Sequence, residues 1–144
     1  MSPPRRPFGI TALSGFFVFG AAMSGLTCFL LLFPGSALDS VWRLNPQARE
    51  AFQPMGIWAV ALMAAVCAAC ALAAWGLWTG APWGRRLAVG ILTVNLIGDL
   101  GNAFLHGDLR TLIGLPIGGA MIAYLLSARA RGYDASTVKR GASP

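Results

Sequence analysis

Residues 87–106 read LAVGILTVNLIGDLGNAFLH. The stretch is long and apolar enough to cross a bilayer, yet it carries Asn95, Asp99, Asn102 and His106. Their spacing is i, i+4, i+7, i+11. At about 100° per residue all four fall within roughly a 60° arc of an α-helix. The remaining positions are mainly Leu, Val, Ile, Ala and Phe, so the spacing predicts an apolar helix with one polar seam. Asp99 is the sole acid in any apolar stretch of the chain. A charged side chain at a bilayer centre costs about 2.5–3.5 kcal/mol on insertion scales, so Asp99 is expected to face protein or a wet cavity.

Composition points the same way. The chain has 144 residues, 56% hydrophobic and 11% charged, with 18 Gly and a mean hydropathy of +0.65. Soluble domains carry about 25% charged residues, so the chain reads as a membrane protein of one bundle. The net charge of +6 sits in clusters at segment ends and has no interleaved aromatic residues. That pattern fits membrane orientation and argues against nucleic acid.

Residues 1–9 form a short basic tail. Ile10 to Phe33 is uncharged and exceeds the 7–15 residues of a signal-peptide core, so it is read as an uncleaved first span. Pro34-Gly35 ends it. The polar loop 34–54 follows, with Ser36 or Asp39 as candidate caps and Leu38, Val41, Trp42 and Leu44 at helical spacings. Asn45-Pro46 breaks this run and Pro46 can start another turn. The expectation is a short amphipathic segment lying on the bilayer, anchored by Trp42 and Phe52; a plain exposed loop is the alternative.

The second span is placed at about 55–79. Ala61, Ala65, Ala69 and Ala73 recur every four residues, a stripe that admits a close helix contact. Trp75, Trp78 and Trp83 gather at its far end like an interfacial belt. Gly80-Ala81-Pro82 makes the turn into the third span, about 87–106. Asp108 is a candidate N-cap with Thr111 at the N3 position. The fourth span, about 109–127, holds the small-xxx-small pair Gly114 and Gly118, with Pro116 predicting a kink or loosened first turn. Residues 128–144 form a second basic tail. The expected fold is therefore all-α, a four-helix transmembrane bundle over residues 10–127.

Cation counting orients it. Arg5, Arg6, Arg85, Arg86, Arg129, Arg131, Lys139 and Arg140 lie on one side, against Arg43, Arg49 and Arg110 on the other. Both termini are thus expected in the cytoplasm of a bacterial inner membrane, with the 34–54 loop outside.

The seam supports two chemical readings. In one, Asn95, Asp99 and Asn102 hydrogen-bond across helices and fix the packing, at about 0.6 kcal/mol per bond. In the other they form a proton or ion relay or a polar ligand site. An ionised Asp99 needs a partner, for which Arg110, Arg43 and Arg49 are candidates; a protonated Asp99 is the alternative. Cys67 and Cys70 spell C-x-x-C, but they sit mid-span with no loop cysteine to exchange with, so they are read with Cys28 as small packing residues. His106 is the single histidine and makes no metal set with its neighbours. No phosphate loop, nucleophile elbow or carboxylate pair occurs. No cofactor and no enzymatic activity are expected.

Trp42-Arg43-Leu44-Asn45-Pro46, Gly76-Leu77-Trp78 with Trp83-Gly84, Asn95 with Gly98-Asp99 and Asn102, and Ile113-Gly114-Leu115-Pro116-Ile117 form one pattern across residues 8–127. It resembles a family of small, uncharacterised four-helix bacterial inner-membrane proteins. The resemblance implies the architecture and no catalytic residue.

Two function classes follow. The first is a helix-packing, assembly or accessory subunit that forms a homo-oligomer or joins a membrane-protein partner. Its surfaces would be Ala61, Ala65, Ala69, Ala73, Gly114 and Gly118. The second is a small proton- or ion-coupled transporter using the seam. A lone 144-residue protomer shows no internal inverted repeat and would have to pair for that task.

Overall fold

The computed structural model describes residues 7–106 and 114–127, apart from the side chains of residues 102, 105 and 106. It is all-helical with no strand among the described residues. Among the described residues five α-helices follow in order: α1 Phe8–Leu32, α2 Pro46–Phe52, α3 Ile57–Thr79, α4 Pro82–His106 and α5 Gly114–Leu126. Two 3-10 helices, Ala37–Leu44 and Gln53–Met55, flank α2.

Each boundary has a local cause. Pro7 lends its carbonyl to the amides of Ile10 and Thr11, at 3.0 and 3.4 Å, and opens α1. Pro34 and Gly35, whose φ is +83°, stop it; a residue before proline disfavours the helical region and glycine accepts positive φ. Asn45 caps α2 by accepting from the Ala48 amide at 3.2 Å, with Pro46 in the first turn. Gly56, at φ +53°, precedes α3, so that helix begins at Ile57, two residues later than the apolar run suggests. α3 closes with a Schellman pair: Ala81 N donates to Gly76 O at 2.8 Å and Gly80 N to Leu77 O at 3.2 Å. Pro82 then starts α4 at once. The third helix therefore begins five residues earlier than the expected Leu87 and carries Arg85 and Arg86 within it.

The chain divides into two compact units, with the divisions inside α1 and α3. One unit holds residues up to Phe17 and from Leu72 onward. There the buried residues include Ile10, Leu13, Phe17, Ala73, Leu77, Ala88, Leu92 and Leu125. Ser14 is buried too, its hydroxyl donating to the Ala74 carbonyl at 3.5 Å. Gly76 and Gly84 meet backbone to backbone across the α3–α4 turn, leaving no room for a methyl group on either.

The other unit is Val18–Ala71. Here α1 and α3 meet through sulfur and glycine. Cys67 Sγ donates to Ala21 O at 3.2 Å and Cys28 Sγ to Val60 O at 3.8 Å. Cys67 lies opposite Gly25, and Cys70 opposite Gly20. All three cysteines are free thiols. The loop segments differ from the sequence expectation in two ways. Trp42 is buried, at 8% exposure. It borders a cavity of about 440 Å³ with Leu30, Pro34, Phe52 and Val60, while Leu38 and Leu44 are the exposed large apolar residues of its 3-10 helix. A 3-10 helix advances about 120° per residue rather than 100°, which sets Trp42 on a different face from Leu38 and Leu44 and turns it inward, in place of the expected surface anchor. The Ser36 hydroxyl makes no cap bond; the Ser36 carbonyl takes the Asp39 amide at 2.9 Å, and Asp39 pairs with Arg49 at 3.7 Å.

α1 and α3 are each long and apolar enough to cross a membrane, with 25 and 23 residues. At 1.5 Å per residue they span about 35–38 Å, against a hydrocarbon core of about 30 Å. In their most apolar windows only 11% and 22% of residues are buried. Phe16, Val18, Phe19, Trp58, Leu62 and Leu72 stand exposed. A helix serving as the core of a soluble protein would bury such residues. The hydroxyls of Thr27, Thr79 and Thr93 donate to the carbonyl four residues back, at 2.9, 3.0 and 2.8 Å. That satisfies them without water.

Candidate functional site

The polar seam lies on α4 as a continuous helix, and its partner across the interface is α5. Asn95 is exposed and Asp99 half-buried. Asn102 and His106 continue the helix, but their side chains lie outside the described residues, as do Arg110, Asp108 and Thr111. The structure places Asp99 against Gly114: a Cβ built there would stand 2.9 Å from Asp99 Oδ2. One turn back along α4 and one turn on along α5, Leu96 covers Gly118, which is buried. Glycines at 114 and 118 thus leave room for an acid and a leucine, as small residues do where two helices approach closely. The sequence marked the two glycines; it gave no sign that Leu96 would cover one of them.

Arg49 makes its ion pair with Asp39, and Arg43 is exposed at the end of its 3-10 helix. Both belong to the Val18–Ala71 unit, whereas Asp99 belongs to the other. Chemically, the half-buried carboxylate between α4 and α5 can accept hydrogen bonds across the interface or exchange a proton.

The alanine stripe divides. Ala61 and Ala65 are exposed, Ala69 is half-buried and Ala73 is fully buried. A four-residue step overshoots one turn by about 40°, so Ala73 has rotated about 120° from Ala61. The four alanines therefore never share one face. The exposed small-residue face of α3 is instead Ala61, Ala64, Ala65 and Ala68, with the i, i+3, i+4, i+7 spacing of a single helix face.

Three further contacts in the Asp99 unit were not singled out from sequence. Tyr124 packs over Gly9, where a side chain would collide with its ring. Gly9, Ala12, Leu13, Pro116, Ile117 and Tyr124 also border an apolar groove of about 560 Å³. Arg85 Nη1 donates to the Leu125 carbonyl at 3.4 Å, which places a cation at the last turn of α5, where the helix dipole is negative. Among the described residues no group of three or more His, Cys, Asp or Glu could hold a metal ion.

Comparison of the chain with protein families, with curated proteins and with solved structures returns no match.

Proposed function

We propose that the chain is a four-span bacterial inner-membrane protein with both termini in the cytoplasm, and that it acts by helix association, as a self-assembling or accessory subunit without catalysis of its own. α1 and α3 supply two spans, and α4 and α5 supply the others. The observation that carries the association reading is the exposed face Ala61, Ala64, Ala65 and Ala68 of α3. In lipid there is no hydrophobic drive to bury leucine against leucine. Small residues are what let a second helix come close enough for dispersion contacts. An all-alanine face toward lipid alone has no such use.

Purification in mild detergent followed by native mass spectrometry tests this. The wild type should appear as an oligomer or with a membrane partner, and Ala65→Ile should release the monomer with unchanged helix content. A strict monomer with no companion, or an oligomer indifferent to Ala65→Ile, would count against the reading.

A second reading is supported by the half-buried Asp99 between α4 and α5. A proton- or ion-coupled carrier would place its acid there, facing a neighbouring helix. Reconstituted into vesicles, such a protein should dissipate a proton or cation gradient, and Asp99→Asn should abolish the flux.

A further inference from the structure

Arg85 and Arg86 lie near the start of α4, and one turn on stand Val89 and Gly90. Together with Leu126 they border a cavity of about 430 Å³. The order along the wall is charged and then apolar, which is the order of a phospholipid from phosphate to acyl chain. Arg85 is held in place by its bond to the Leu125 carbonyl, and Arg86 is exposed. The sequence has no acid between Glu50 and Asp99. Trp78 and Trp83, both exposed, mark this end of the helices as the level of a membrane interface.

Gly90 supplies a separate argument. Glycine within a helix is less favourable than alanine, yet no atom beyond its own stretch of helix lies within 4 Å of where its Cβ would be. Of the glycines with such open space, Gly90 is the one that borders this cavity, where it leaves the helix surface open to an acyl chain laid along α4.

We propose that this cavity binds one anionic phospholipid. The two guanidinium groups hold the phosphate, and an acyl chain lies along Val89, Gly90 and Leu126. Clusters of basic residues beside a membrane-spanning helix recognise anionic headgroups in this way, and the apolar wall favours a lipid over a soluble phosphate. The inference rests on the membrane reading above.

The test uses the full chain in mild detergent, with native mass spectrometry against phosphatidylglycerol and phosphatidylcholine of identical acyl chains. The wild type should retain one phosphatidylglycerol at about tenfold lower concentration than phosphatidylcholine. Arg86→Gln should cut that preference about fivefold. Gly90→Leu, which fills the acyl path, should weaken retention of both lipids. Gly98→Leu, also at a position with open space but outside the cavity, should behave as wild type. Equal retention of the two lipids by the wild type would overturn the proposal, as would an unaltered preference in Arg86→Gln. Competition by glycerol 1-phosphate as strong as by the lipid would also overturn it, in favour of a soluble phosphate ligand. Cell fractionation separates the two levels: protein in the membrane fraction without lipid preference sinks the lipid site alone, and protein in the soluble fraction sinks the membrane reading itself.

Discussion

The carboxylate of Asp99 lies over the α-carbon of Gly114, so close that a methyl group there would stand 2.9 Å from Oδ2. The acid on α4 and the glycine on α5 are therefore one contact. The single acid of α4 is turned toward its neighbouring helix at the place where that neighbour has no side chain.

Replacement of Asp99 separates packing from charge. Asn keeps the size and an acceptor while removing a charge that is costly to bury. Asp99→Asn is expected to melt in detergent at or slightly above the wild-type temperature. Asp99→Leu leaves polar groups of the interface without an acceptor, at about 1–3 kcal/mol. Equal destabilisation by Asn and Leu would show that the charge itself is needed and would move the reading to the relay.

The glycines rank by what a methyl group would strike. At Gly76 and Gly84 it meets backbone of the facing residue, which cannot step aside, so Gly76→Ala should cost about 3 kcal/mol. At Gly118 and Gly114 it meets the ends of the Leu96 and Asp99 side chains, which can rotate, and the cost should be about 1 kcal/mol. Thermal melts of the three alanine variants give the order directly. A Gly76→Ala protein as stable as Gly118→Ala would refute the close backbone contact at the α3–α4 turn.

In the segment between α1 and α3, burial outweighs the ion pair. Asp39 and Arg49 are 3.7 Å apart with side chains 26% and 47% exposed. Such a pair contributes about 0–1 kcal/mol, so Arg49→Gln should be close to neutral. Trp42, at 8% exposure, should cost about 3 kcal/mol when cut to Ala. Tryptophan fluorescence adds a second readout. The Trp42→Phe difference spectrum should be that of an indole shielded from water, and a solvent-exposed spectrum would refute its inward placement.

Orientation is tested by a thiol-reactive label that does not cross membranes. Ser40 is exposed in its 3-10 helix, whereas the Ser36 hydroxyl oxygen is buried, which makes Ser40→Cys the better probe of that loop. Intact cells should label Ser40→Cys and spare Ser136→Cys. The reverse pattern would invert the topology derived from the cation count.

Much of the helical architecture was legible in the residues because its causes are local. Pro34-Gly35, Asn45-Pro46 and Gly80-Ala81-Pro82 each interrupt the chain where the structure interrupts it, since proline and glycine act on their own backbone. The apolar run begins only at Leu87, whereas α4 begins at Pro82 and takes Arg85 and Arg86 into its first turns. Arginine is a good helix former, and proline is well suited to the first turn.

The sequence by itself determined which residues share a helix face. Rotation of about 100° per residue depends on no other part of the molecule, and so Asn95 and Asp99 were bound to lie on one side of α4. The same arithmetic shows why Ala61 and Ala73 could not share a face. Only the tertiary structure decided what stands opposite each face: Gly114 against Asp99, Leu96 against Gly118, Gly84 against Gly76, and Trp42 turned inward. Those pairings depend on how far each helix is rotated and shifted along its neighbour. That balance is struck by all the side chains of an interface together, and no single segment records it.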